Sequence, residues 1–476
     1  MKVKMILPAL TEATSPYWRP IKYSLFPPLG LATLAAYLGP DDEIELQDEH
    51  VETLITDDRP DLVVIEVYIT SARRAYALAD LYRRRGSFVC LGGLHVTSLP
   101  EEAAAHADAI FLGPGEDTWP AFLADLRRGT PGKIYFSRRR TLLGTPVPRR
   151  DLLKRCLYLV PNSIVVSRGC PHACDFCYKT AFFKGGRSLY TQAVDRALAE
   201  IESLPGRHLY FLDDNLFGNP DFAGRLFDGM RGMGRLWQAA GTVQSVLTPG
   251  LIRKAADCGL RSLFVGFETL EPANLRAQRK THNLGHDYPA AIRTLHDCGV
   301  MVNASFVFGM DEDDNGVFGR TVDWAVRQGI ETATFHILTP YPGTPLFDRL
   351  ARAGRITTKD WDSYDTRHAV FLPGRMSPQT LEEGYWWAYR EFYSWTNILQ
   401  STRQQGDPLK AVRHMAYKTA WKKFEPIWDL IIRLKHVSAF TPLLEMVLSG
   451  KKTAGMQRLD QPPAEAGIPA ISAQPH

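Results

Sequence analysis

The 476-residue chain has no run of 18 apolar residues, so nothing in it is expected to span a membrane as a helix. It has little net charge: 56 Lys and Arg against 52 Asp and Glu leave a formal +4. That is too small for a general polyanion binder, and no nucleic-acid partner is expected. Cysteine is scarce, seven in all. The opening stretch MKVKMILPAL lacks the long apolar core and small-residue cleavage site of a secretory signal, and reads as a first buried strand. An odd thiol count without an export signal points to the reducing cytoplasm, where clustered thiols bind metal or do chemistry more often than they pair. What the chain does have is 45% hydrophobic and 11% aromatic residues, enough for packed cores in two or three domains.

Residues 1–135 alternate strand-like runs (VKMILPAL, EIELQDEH, DLVVIEVYIT, FVCLGGLHV, AIFLGPGE) with helix-like ones such as LGLATLAAYL and ARRAYALADLYRRR. This alternation predicts an α/β, doubly wound, Rossmann-like domain whose ligands sit at the carboxyl ends of the strands. Residues 136–162, basic and Pro-containing without periodicity, read as a linker. Over 163–375 a second series begins with SIVVSRGC and continues through RHLYFLDDN, WQAAGTVQSV, RSLFVGFETL, MVNASFVFGM and TATFHILTPY. Two helices ending AADCGL and LHDCGV recur about 40 residues apart, as in a repeated αβ unit with a glycine C-cap. Six such strands predict a partial (β/α)6 TIM-type barrel with its site at the strands' C-terminal ends.

Residues 376–450 turn helical and aromatic, with GYWWAYREFYSW and then Phe424, Ile427, Trp428, Ile431 and Ile432 at helical spacing. Flanked by Lys410, Arg413, Lys418, Lys422 and Lys423, this stripe could cover a pocket for a large apolar molecule or make peripheral contact with anionic lipid. The preferred reading is core packing with a solvated basic face. The tail, 451–476, is rich in Pro, Ala and Gln and reads as disordered.

The chemistry concentrates in SRGCPHACDFC, which places Cys170, Cys174 and Cys177 just after the first strand of the second series. A zinc site wants four protein ligands, usually as two separated pairs, and the other cysteines (Cys90, Cys156, Cys258 and Cys298) stand alone. Three thiolates suit a [4Fe–4S] cubane with one iron left open. The alternatives are a thiol trio without metal and a zinc site completed by His172.

CxxxCxxC on such a loop resembles the signature of the radical S-adenosylmethionine (SAM) superfamily. The resemblance implies that Cys170, Cys174 and Cys177 hold the cluster and that SAM chelates its open iron. It places Phe176 near the adenine, Gly266 and Glu268 of VGFETL against the ribose, and Ser305 and Gly309 of SFVFGMDE in the GxIxGxxE-like fifth-strand motif, with Ser in place of its first Gly. Asp213 of FLDDN stands where members meet the SAM amino group. For Asp214 and Asn215, capping of a strand-to-helix turn is an equal reading.

PPLGLATLAAYL, LGGLHVTSLPEEA, GFETLEPANL and TPYPGTPLFDRL, over roughly residues 1–400, resemble the cobalamin-binding radical SAM subgroup. This implies a corrinoid over the strand ends of the first domain, near Ser71, Gly92, Gly93, Gly113, Gly115 and Glu116. The other reading of each is an ordinary tight turn. Asp48, Glu49 and His50 imitate a DxHxxG motif but follow the second strand, and Thr53 stands in place of its glycine; no histidine of this chain is expected beneath cobalt. The subgroup implies C-methylation of an unactivated carbon of a small-molecule or lipid-like metabolite, through a 5′-deoxyadenosyl radical and methylcobalamin. Oxidative cyclisation or ring rearrangement with the same cofactors is the alternative. An electron donor such as flavodoxin or ferredoxin is implied, and no titratable group stands out as a catalytic acid or base.

Overall fold

The computed structural model describes residues 1–10, 24–403, 408–422, 427, 430–431, 434 and 437–449. The expectations for Phe424, Trp428, Ile432, Lys423 and the 451–476 tail fall outside them, as does the Lys422 side chain. Among the described residues no helix is long and apolar enough to cross a membrane.

The first sheet is built from β1 (Lys2–Leu7), β2 (Glu43–Asp48), β3 (Leu62–Glu66), β4 (Phe88–Gly92), β5 (Ala109–Leu112) and β6 (Ile134–Phe136). All pair in parallel, in the order β2-β1-β3-β4-β5-β6. Helices cover both faces, so Leu62, Val63 and Ile65 of β3 are sealed from water. The chain leaves β1 for β2 on one side and returns to β3 on the other. The switch in strand order opens a crevice at the carboxyl ends of β1 and β3. The sequence does not announce β6, a three-residue edge strand whose Ile134 is exposed.

The second sheet begins with β7 (Ser163–Ile164). A two-stranded antiparallel ribbon follows, β8 (Ser167–Gly169) with β9 (Leu189–Thr191). Then come β10 (His208–Phe211), β11 (Leu236–Gly241), β12 (Leu260–Glu268), β13 (Met301–Phe308) and β14 (Thr332–Ile337). Pairing is parallel and sequential, β7-β10-β11-β12-β13-β14, which is an open six-stranded barrel. Amphipathic helices between the strands bury their apolar stripes on its outer face, as do Ala291, Ile292 and Leu295 of helix Tyr288–Asp297. Cys258 and Cys298 sit at helix C-caps, and Cys258 is buried.

The stretch between the sheets is packed rather than free. Leu153, Leu157, Tyr158, Leu159 and Val160 are buried, and the Tyr158 hydroxyl donates to Asp48 at 2.9 Å. Arg140 is also buried, its guanidinium donating to the carbonyls of Lys184 (2.7 Å), Arg187 (3.2 Å) and Phe183. A lone arginine among carbonyls has no periodicity, so a pattern-based reading misses it.

Helix Pro378–Phe392 packs Leu381, Tyr385, Ala388 and Phe392 inward. Its Tyr389 hydroxyl lies 3.2 Å from the Phe335 amide and 3.3 Å from the Phe335 carbonyl; Tyr393 meets the Ala333 amide and carbonyl at 3.2 and 3.0 Å. Each phenol accepts from one backbone group and donates to the other along the open edge of β14. Of the expected solvated basic face, Lys410 is exposed, donating to the His296 carbonyl at 3.3 Å, whereas Arg413 is half-buried and donates to the Gly299 carbonyl at 3.0 Å. Lys418 is fully buried, 3.1 Å from Ser401 Oγ and 3.8 Å from the Phe392 ring centroid. Arg413 and Lys418 serve a carbonyl just past a helix end and an aromatic face, partners that only the tertiary fold supplies.

Burial pushes the Lys418 pKa down to about 7, below its ordinary 10.5. The folded state therefore binds fewer protons than the unfolded chain between these values, and stability rises as pH climbs through that window. Lys418→Met is expected to raise stability at pH 7 by ~1–2 kcal/mol and to abolish that alkaline rise, as read in denaturant melts at pH 7 and pH 9.5.

Candidate active site

The loop carrying the three thiols is held from several sides. At its start, the buried Asp213 carboxylate accepts from the Val166 amide (3.2 Å), Ser167 Oγ (2.5 Å) and the Ser167 amide. Burial pushes its pKa up to about 7. Both oxygens are taken by the entry to β8, so Asp213 positions the loop and is not presented to a ligand. Asp214 accepts from the Gly169 amide at 2.7 Å and pairs with Lys179 at 2.6 Å. Gly169 has φ +84°, and a Cβ there would lie 1.9 Å from the Ser188 carbonyl oxygen, to which the Cys170 amide donates at 2.8 Å. Only glycine lets β8 and β9 come this close. Between the second and third thiols, the buried Asp175 carboxylate takes Arg279 and Arg349, the latter at 2.8 Å, and its amide donates to the Gln278 carbonyl at 2.9 Å.

Among the described residues no three His, Cys, Asp or Glu side chains converge as ligands of a single ion. The three thiols are instead neighbours that perturb one another, with burial pushing Cys174 up to about 12 and Cys177 upward. Each thiolate of a cubane binds a different iron, so the ligands surround a volume rather than a point. Asn215 Nδ2 lies 3.6 Å from Cys170 Sγ, a geometry suited to a sulfur that carries negative charge. The donor set fits the cluster.

Beside Cys174 the structure brings together Phe176, Gly266, Glu268 and Ser305. Lys280 Nζ joins them, 2.7 Å from Glu268 Oε1 and 5.9 Å from the Phe176 ring centroid. Ser305 Oγ is 3.5 Å from Glu268 Oε2, and Asn283 donates to the Gly266 carbonyl at 3.0 Å. Glu268 is a non-glycine residue at φ +64°, an arrangement found where function constrains the backbone. Gly309 stands apart: its amide donates to the buried Asp313 at 2.9 Å. Sequence reasoning missed Lys280 and Asn283, which flank and end the short 3-10 turn Thr281–Asn283, with no motif spacing to mark them.

Two cavities meet the carboxyl ends of the first sheet. The larger, about 440 Å³, is lined by Leu10, His50, Tyr68, Ser71, Leu94 and His95 from the first domain. It is closed by Tyr178, Tyr341, Pro342, Tyr364, Asp365 and Thr366 from the second part of the chain. Tyr178 adjoins Cys177, so this space runs from the first sheet to the thiol loop. The smaller, about 100 Å³, is a slot among Gly30, Gly92, Gly93, Phe111, Gly113 and Gly115, with Glu116 at its rim. Glu116 pairs with Arg168 of β8, tying the first domain to the ribbon that leads into the thiol loop. Leu94 lines the cavity and its neighbour Gly93 the slot. A broad space over strand ends, with a narrow glycine-rich slot beside it that Glu66, Glu116 and Arg168 also line, fits a corrinoid and its nucleotide arm. Of the expected contacts, Ser71 faces the cavity; Gly92, Gly93, Gly113, Gly115 and Glu116 face the slot. His50 also lines the cavity, its Nδ1 2.9 Å from Asp48.

Thr366 stands in the cavity wall at φ +66°, rare for a β-branched residue. Its carbonyl accepts from the Ile337 amide at 2.7 Å, which fixes the loop against the end of β14. Thr366→Asn, which tolerates this backbone, is expected to raise stability by ~1 kcal/mol; an unchanged denaturation midpoint would show that the wall stores no strain.

Residues 23–123 match the B12 binding domain, residues 164–325 the Radical SAM superfamily, and residues 344–441 a domain of unknown function. The chain is 29% identical over 400 residues to the bacteriochlorophyllide d C-12(1)-methyltransferase of Chlorobaculum tepidum, covering 81% of this chain and 86% of that protein. It is 28% identical over 443 residues to that organism's bacteriochlorophyllide d C-8(2)-methyltransferase, covering 89% and 96%. Against the hopanoid C-2 methylase of Rhodopseudomonas palustris it is 27% identical over 355 residues, covering 71% and 66%. Among solved structures, the radical S-adenosylmethionine methyltransferase TsrM from Kitasatospora setae, with cobalamin and a [4Fe-4S] cluster bound, shares the fold at TM-score 0.62 and 14% identity, over 92% of this chain and 99% of that one. The cobalamin-dependent S-adenosylmethionine radical enzyme OxsB, with aqua-cobalamin and S-adenosylmethionine bound, does so at 0.65 and 14%, over 94% and 75%. A B12-binding sheet and a radical SAM barrel facing one shared cavity place this chain in the cobalamin-binding radical SAM enzyme family.

Proposed function

We propose that the protein C-methylates an unactivated carbon of an apolar small-molecule or lipid-like metabolite. The observation that carries this reading is the single cavity lined both by the strand ends of the B12-binding sheet and by Tyr178 beside the thiol loop. A substrate there can face both cofactors. When bound, the cluster, SAM and corrinoid supply a 5′-deoxyadenosyl radical and a transferable methyl group. Cys170, Cys174 and Cys177 would hold the cluster; Phe176, Gly266, Glu268 and Ser305, with Lys280, would hold SAM beside it. Ser71 and the glycine slot would hold the corrinoid.

The chain's remaining task is positioning and the exclusion of water. Tyr178, Tyr341 and Tyr364 give the cavity an aromatic wall. Asp365, which lines the cavity along with His50 and His95, is engaged by Arg367 and His368 and offers no open carboxylate. The lining thus suits an apolar substrate, in keeping with relatives named for bacteriochlorophyllide and hopanoid methylation. An electron donor such as flavodoxin or ferredoxin would reduce the cluster. Exposed Trp386, Trp387, Trp395 and Leu399 support peripheral membrane contact near a lipid-like substrate.

The test is mass spectrometry of products formed from methyl-deuterated SAM in a host extract under reductant. A labelled methyl in a product supports methylation. Deoxyadenosine without a labelled product selects cyclisation or rearrangement instead.

A further inference from the structure

At the opposite end of the barrel strands from the thiol loop lies a separate cavity of about 240 Å³. Tyr210, Gln238, Asn303 and Thr332 line it from β10, β11, β13 and β14, the last three from the amino-terminal half of their strands. Tyr417 of helix Pro408–Lys422 and Leu444 and Val447 of helix Thr441–Ser449 close it from below. Most of the lining is apolar, and no described charged residue contributes to it.

The polar atoms divide in an informative way. Gln238 is satisfied at both ends: its amide nitrogen lies 3.0 Å from His208 Nε2, and its carbonyl accepts from the Tyr417 hydroxyl at 3.4 Å. Asn303 Oδ1 and Thr332 Oγ1 are buried with no hydrogen-bond partner among the described residues. These two residues are direct partners in the parallel pairing of β13 with β14, so the orphan atoms stand side by side. Burying such atoms unpaired costs stability, and native interiors seldom leave them so. One hydroxyl group would satisfy both, donating its proton to Asn303 Oδ1 and accepting from the Thr332 hydroxyl.

We propose that this cavity is a second binding site, distinct from the active site, for an uncharged apolar molecule bearing a single hydroxyl. At the ~30 Å³ that one water takes up in the liquid, 240 Å³ holds about eight heavy atoms. The ligand class is therefore a short alkanol or a phenol.

The experiment is calorimetric titration of n-alkanols from butanol to dodecanol into the full-length protein loaded with cluster, SAM and corrinoid, so that the cofactor sites are filled and the cavity-filling variants below separate this site from the substrate space. Affinity should rise about fourfold per methylene and stop rising near heptanol or octanol, where the cavity is full. Thr332→Val should weaken heptanol about tenfold while leaving the gain per methylene intact. Leu444→Trp, or Val447→Phe should the first fail to fold, should abolish binding with cluster and corrinoid content unchanged. An affinity that climbs steadily to dodecanol, binding that survives a folded cavity-filling variant, or no heat up to the solubility limit of heptanol would each overturn the proposal.

Discussion

Replacing Cys174 by alanine is expected to strip the anaerobically purified protein of its brown [4Fe–4S] chromophore and to lower 5′-deoxyadenosine formation to background, a loss of about 10³-fold or more, equivalent to at least ~4 kcal/mol of lost catalysis. Corrinoid content should stay near that of the parent. The reasoning is local. Cys174 is 7% exposed, so alanine fits its space. The loop keeps its shape without the thiol because Asp175 is clamped by Arg279, Arg349 and Gln278, and Cys170 by the Ser188 carbonyl. The variant loses one of three anchors for a cluster whose fourth iron has no protein ligand to spare. Iron and sulfide analysis with optical spectra checks it, and unchanged iron would refute the assignment of these thiols.

The second large effect falls on the other cofactor. Gly93 has φ +112°, and a Cβ there would lie 2.9 Å from the Val67 carbonyl oxygen and 3.0 Å from its nitrogen. This crossing is tight because the Val67 amide donates to the Gly92 carbonyl at 2.8 Å and its carbonyl accepts from the His95 amide at 3.1 Å. Gly93→Ala must therefore pry the end of β3 from the turn after β4, where slot and cavity adjoin. The backbone strain is ~1–2 kcal/mol and the forced displacement adds ~1–3 kcal/mol. Corrinoid content is expected to fall at least tenfold while the cluster and reductant-driven deoxyadenosine formation persist. A variant that retains full corrinoid would show that Gly93 is an ordinary turn.

Both expectations grow from residues that the sequence marked. The thiol triplet is legible because its spacing is local and it follows a strand-like run. Strand β3 is legible because burial on both faces makes it a continuous apolar run, LVVI, and β12 and β13 because apolar residues dominate them, as in LFVGF and SFVF. Asp213 shows the limit of that legibility. The resemblance gives it the SAM amino group as partner, yet its oxygens serve the backbone entering β8, more than forty residues away in the chain. Lys280 and Lys418 show the same limit from the other side. A lysine in a coil and one on a helix look solvated until the fold supplies Glu268 to the first and Phe392 to the second. Partners far apart in sequence leave no periodicity. Chemistry that depends on them becomes visible only in three dimensions.

The two phenols set against β14 bear on how this enzyme can be handled. A chain cut after the last barrel strand, as a minimal catalytic fragment would be, loses Tyr389 and Tyr393 and bares a ribbon of unpaired amides and carbonyls. Such a ribbon recruits strands from other molecules, so the fragment should precipitate during expression even with its cluster ligands intact, whereas one ending beyond residue 393 keeps the seam shut.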